Sequence, residues 1–163
     1  MNLPAVLQST VDSWADFYGN HQIVSVTVRY LHLAGLVVGG GTAVAVDRQV
    51  LRAARSGPSV RSGIVAAVHG SHRVVVPALA VIVATGLAMT LSDTETFLVS
   101  PLFWSKMALV GLLLLNGLAL VAAERAVAVG RPRGWLWLGL TSAVSLLLWL
   151  GTLFAGVWLT VAA

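Results

Sequence analysis

No cysteine occurs among the 163 residues, and charged side chains make up only 10% of them. The first absence excludes a disulfide scaffold, a thiolate zinc site, an iron–sulfur cluster and thiol redox chemistry. Any metal must therefore be held by histidine, methionine or carboxylate. The second absence, set against 58% hydrophobic residues, excludes a soluble globular fold, a disordered tail and a nucleic-acid module, because ordinary soluble domains carry roughly 25% charge. A formal net charge of +4 would suggest a polyanionic partner in a soluble protein. Here the arginines stand between long apolar runs and read as topology signals.

Four apolar segments fill most of the chain: Ile23–Val46, Ile64–Leu91, Leu102–Val129 and Trp135–Val161. Each is longer than the ~20 residues an α-helix needs to cross the hydrocarbon of a bilayer, and none alternates with the period of a barrel strand. The expected fold is an all-α integral membrane protein, a four-helix transmembrane bundle over residues 21–163 preceded by an amphipathic surface helix over residues 1–20. Residues 1–20 lack the basic start and unbroken apolar core of a signal peptide. Leu3, Leu7, Val11, Trp14 and Tyr18 recur there at helical steps, with Asp12 and Asp16 on another face, the pattern of a helix lying along a membrane surface. It would serve as a lid or anchor on the bundle, or as a docking site for a periplasmic partner.

Arg48, Arg52, Arg55 and Arg61 surround the first connection, with Asp47 as its single acid, and Arg125, Arg131 and Arg133 surround the third. The positive-inside rule then puts both connections in the cytoplasm and both termini outside, as expected for a multi-pass protein of a bacterial cytoplasmic membrane. Trp135 and Trp137 at one level, and Trp104 and Trp158 at the other, match an aromatic belt.

Ionisable side chains within a span are costly and so are candidates for function. Here they are Arg29, His32, His69, His72, Arg73, Lys106 and Glu124, with Asn116 at mid-depth. Ser25, Arg29, His32, Gly35, Gly39 and Ala43 share one helical stripe. The Gly39-Gly40-Gly41 run on it reads either as close helix packing or as room for a flat cofactor. His69 and His72 lie one turn apart on one face. Histidine is the usual axial ligand of b-type haem. In that reading His32 and His72 ligate the iron, His69 is an auxiliary ligand, and Arg29, Arg73 and Lys106 neutralise the propionates. Depth counted along the helices sets His32 and His72 at unequal levels, so a ligand from another subunit, or five-coordinate iron, is the alternative. His21, His32, Met89 and Met107 form a second set that suits copper. Glu124 reads as a surface pair with Arg125, as a partner for Arg73 or a first-span arginine, or as a proton carrier. Ser142, Ser145 and Thr152 read as helix contacts.

The segment Arg29-Tyr30-Leu31-His32-Leu33-Ala34-Gly35, the later Gly39-Gly40, Ala84-Thr85-Gly86-Leu87, and Pro101-Leu102-Phe103-Trp104-Ser105-Lys106-Met107 followed by Asn116 together resemble the bacterial copper-resistance-D-like membrane domains. Related four-helix families look similar over residues 25–120. That resemblance implies copper handling at the periplasm and cytoplasmic membrane, with His32 and Lys106 as the positions carried over. Copper-handling members are commonly longer, and a bundle of this length is better suited to a redox subunit, an accessory subunit or half of a symmetric pore, in a homo-oligomer or larger membrane complex. Three functions are therefore expected to compete: haem-based electron transfer, copper binding or transport, and cofactor-free stabilisation of a membrane complex.

Overall fold

A computed structural model describes residues 5–56 and 58–162, and no strand occurs among them. The first helix, α1 (Ala5–Asn20), precedes four long apolar helices. The first span, Gln22–Ala53, consists of α2 (Gln22–Gly35), a π-helical turn (Leu36–Gly40) and α3 (Gly41–Ala53). The second is α4 (Pro58–Ser92), the third α6 (Pro101–Ala128) and the fourth α7 (Gly134–Ala162), with a short α5 (Thr94–Val99) between the second and third. Most apolar side chains of these spans point away from the rest of the chain. Such surface is tolerable in lipid and not in water, so the architecture is that of a multi-pass membrane protein.

Helix ends follow local chemistry. The Asp93 carboxylate accepts the Thr96 amide at 3.1 Å and starts α5, while Ser100 Oγ accepts the Phe103 amide at 3.4 Å, with Pro101 as the first residue of α6. These are the side-chain oxygens and the proline that orphaned first-turn amides favour. At the other end of α6, Gly130 adopts φ 70 and the Arg131 amide reaches back to the Ala126 carbonyl at 2.9 Å, a glycine-terminated stop. The chain turns so tightly here that a Cβ on Gly134 would lie 2.9 Å from the Val127 nitrogen. The Arg131–Gly134 turn thus closes α6 and α7 into an antiparallel hairpin, the most extensive helix pair in the molecule.

The first span lies between α4 and α7. Gly35 faces Ile82, Gly39 faces Ala78 and Gly40 faces the Trp149 ring, all so closely that an added Cβ would sit 2.7–3.0 Å from its neighbour. Gly39 and Gly40 of the glycine run are therefore occupied by helix packing. The close packing continues to the arginine-loop end, where Val50, Val68, Ala123 and Leu138, one from each span, form the buried centre of the bundle. Arg61 ties off that end by donating to the Ala53 and Ala54 carbonyls at 3.3 and 2.9 Å, with its guanidinium over the Trp135 ring. At the opposite end α1 is pinned to the bundle: Trp14 Nε1 donates to the Ala88 carbonyl at 2.8 Å, and Tyr18 is buried.

One span boundary differs from expectation. The first span runs seven residues beyond Val46, to Ala53, because Val50 and Ala53 are buried one turn apart although Asp47, Arg48, Gln49 and Arg52 interrupt the apolar pattern. The helix that carries the second span begins at Pro58, a residue suited to a first turn, ahead of the apolar span itself, which runs Gly63–Ser92 and so starts within one residue of Ile64. Asp47 consequently belongs to a helix and not to a connection.

Candidate functional site

Three polar groupings sit among the helices, and their chemistry follows from what each helix can reach. On α4, His69 and His72 are three residues apart, so their rings leave neighbouring parts of one face. Both turn to Glu124 of α6. His69 Nδ1–H donates to Oε1 at 3.1 Å and His72 Nε2–H donates to Oε2 at 2.9 Å. Carboxylate oxygens only accept, so an ionised Glu124 fixes which ring nitrogen carries the proton in each histidine. Their environments differ sharply: the Glu124 side chain is 9% exposed, His72 27% and His69 73%. The clamp thus joins a buried carboxylate to an imidazole open to its surroundings. It also bridges α4 and α6, which otherwise touch only narrowly.

The second grouping centres on His32, near the opposite end. Its Nδ1 lies 3.1 Å from the Ile82 carbonyl and 3.0 Å from Thr85 Oγ1, whose own hydroxyl donates to the Val81 carbonyl at 2.6 Å. The carbonyl acceptor places a proton on Nδ1, which leaves the Nε2 lone pair uncommitted. The ring rests beside Gly86, and the Lys106 ammonium, seated against Gly156, is close enough for its charge to act on it.

The third grouping was not visible as a site in the sequence. Asp47 is 3% exposed, on the face of α3 that meets α7, and Ser142 and Ser145 of α7 flank its carboxyl. The register agrees independently. Val50 and Leu138 share the buried core and Gly40 meets Trp149, so in an antiparallel pair Asp47 falls level with Ser142. Asp47 Oδ2 and Ser142 Oγ are nonetheless both buried without a hydrogen-bond partner, as is Thr152 Oγ1.

The residues expected to act together are distributed as follows. His32 and His72 are apart: His32 contacts Ile82 and Thr85 of α4, about ten residues or ~15 Å along that helix from His72. One iron cannot be shared between them in this arrangement, and the slot for a flat macrocycle beside Gly39 is filled by Ala78. Arg29 and Arg73 are exposed and make no ion pair among the described residues, and Lys106 lies near His32. His21 is exposed, its Nδ1 bonded to the Phe17 carbonyl at 2.9 Å and its ring stacked on Phe17. Met89 is on α4 and Met107 on α6, helices that meet sparsely. Among the described residues no group of three or more His, Cys, Asp or Glu is arranged to hold a metal ion. Asn116 donates to the Thr141 carbonyl at 3.0 Å and so links α6 to α7. Glu124 pairs with histidines and not with Arg125 or Arg73.

Comparison with models of protein families, with curated proteins and with solved structures finds no match for this chain.

Proposed function

We propose that the protein is a subunit of a bacterial cytoplasmic-membrane complex that exchanges protons at its arginine-loop end through His69, Glu124 and His72. The observation that carries this reading is one buried carboxylate whose two oxygens are held by two imidazoles of another helix. Ionisable groups at such a position are expensive in lipid surroundings and are kept where they move charge. Histidine exchanges protons near neutral pH. His69 meets the aqueous boundary, Glu124 stabilises the imidazolium that forms, and His72 offers the same proton a second, more sheltered seat. The arginine-rich connections orient this end towards the cytoplasm by the positive-inside rule.

Nitrogen NMR of histidine-labelled protein tests the reading. Because both rings are held by one carboxylate, the Nδ1 proton of His69 and the Nε2 proton of His72 should both give hydrogen-bonded ring signals in the native protein, and both signals should change in Glu124→Gln. Ring signals untouched by that substitution would overturn it.

A second reading is favoured by one observation. His32 gives its Nδ1 proton to a backbone carbonyl, the posture that orients an imidazole whose Nε2 binds a metal. Here a b-type haem would be shared with another subunit, on the surface of the first span and not inside the bundle. A Soret band in the purified complex that vanishes in His32→Ala would support it, and colourless complex would end it.

A further inference from the structure

Asp47 is not part of the proton-exchanging clamp, and its surroundings pose a separate problem of charge. A carboxylate withdrawn from water costs several kcal/mol unless it is compensated, so some partner must supply positive charge. None of the neighbouring helices does. The fourth span, α7, contains no charged residue along its entire length. On α3 itself, Arg48 and Arg52 are exposed on other faces. On α4, the residue that packs towards α3 at this level is Val68, while Arg61 is taken up by the Ala53 and Ala54 carbonyls and the Trp135 ring, His69 and His72 turn to Glu124, and Arg73 is exposed. On α6, Glu124 is taken up by the histidines and Arg125 is exposed. No ion pair to Asp47 is present among the described residues.

Unsatisfied oxygen atoms complete the picture. Oδ2 of Asp47 and Oγ of Ser142 are both sealed from solvent and both without a partner, a combination that is rare in folded proteins and calls for an ion, proton or water between the groups. The donors are all hard oxygens: a carboxyl from α3 with two hydroxyls from α7. Such donors suit hard cations and not the soft metals that histidine and methionine take. One carboxylate in a low-dielectric setting balances one positive charge, whereas a divalent ion would leave an uncompensated charge buried.

We infer that Asp47, Ser142 and Ser145 form a binding site for a single monovalent cation, taken as a proton or a sodium ion, at the contact between the first and fourth spans. With a proton on Oδ2, Asp47 becomes a donor able to satisfy Ser142 Oγ after a small side-chain adjustment. With sodium, the carboxylate and the two hydroxyls become ligands, and nearby main-chain carbonyls can add to them.

Two measurements on the full chain in detergent or liposomes decide the matter. Binding of radiolabelled sodium chloride is followed with potassium chloride as competitor control, and infrared difference spectra between acidic and alkaline samples are searched for the carbonyl stretch of a protonated carboxylic acid. Sodium binding at one ion per chain that is lost in Asp47→Asn identifies sodium. An acid carbonyl band lost in Asp47→Asn, without sodium binding, identifies the proton. Should Asp47→Asn fail to fold, the Ser142→Ala, Ser145→Ala double variant keeps the carboxyl and removes the hydroxyls. It should then weaken sodium binding at least tenfold or shift the acid band. Neither sodium binding nor an acid band, or signals unchanged in these variants, would overturn the inference.

Discussion

Replacing Gly39 with leucine should unseat the first span from the second. A Cβ at this position already falls 2.7 Å from Ala78 Cβ, and alanine has no flexible end that can move aside. Relief requires the two helices to separate, which also dismantles the packing of Gly35 against Ile82. Overfilled cores lose typically about 1–3 kcal/mol, and a whole leucine side chain against a helix backbone belongs at or beyond the top of that range. Reversible unfolding in mixed micelles measures the loss. Gly41→Ala is the internal control, since nothing lies within 4 Å of a Cβ there, and its midpoint should be unchanged or slightly raised because glycine is the poorer helix former. Equal effects of the two substitutions would show that the close approach at Gly39 contributes nothing.

The second large effect is expected at His72. Its removal leaves Glu124 Oε2 sealed in the bundle without its donor, and a buried polar group deprived of a partner costs about 1–3 kcal/mol. His69→Ala should cost far less, within the few tenths to ~1 kcal/mol of exposed pairs, because that ring is 73% exposed. The same unfolding assay separates the two, and a larger loss for His69→Ala would contradict the division of the clamp into a sheltered and an open half.

The four spans were legible in the sequence because a hydropathic run long enough to cross a bilayer has few alternative folds. Arg131-Pro132-Arg133-Gly134 is too short a connection for anything but the tight return that joins α6 to α7. What could not be read were pairings between helices. His69 and His72 were recognisable as a one-turn pair, and Glu124 as a proton-carrying candidate, but nothing in their spacing says that residues more than fifty positions apart meet. Local charge bookkeeping favoured Arg125 for Glu124. In the folded chain that arginine is exposed, and the carboxylate turns inward.

Asp47 was obscured for two separate reasons. Its neighbours Arg48, Gln49 and Arg52 make the segment resemble a connection to any averaging of hydropathy. The π-helical turn at Leu36–Gly40 also breaks the ordinary count of ~100° per residue, so that extrapolating the stripe from His32 assigns everything beyond Gly40 to the wrong side. The glycine run is the converse case. Its small residues were visible, and its two readings, a cofactor slot or a helix contact, could be separated only by seeing Ala78 and Trp149 against it.

That wide turn has an implication for how the chain tolerates change in length. Losing one residue from an ordinary transmembrane helix swings every later side chain by ~100° and draws it 1.5 Å along the axis. A π turn holds one surplus residue within a single winding. Shortening the chain by one between Leu36 and Val38 would let the winding relax to regular α geometry and keep Asp47 turned to Ser142 and Val50 to Leu138. The same loss two turns later would swing both away. The first span thus carries its own slack, at the level where it passes from its contacts with α4 to its contacts with α7.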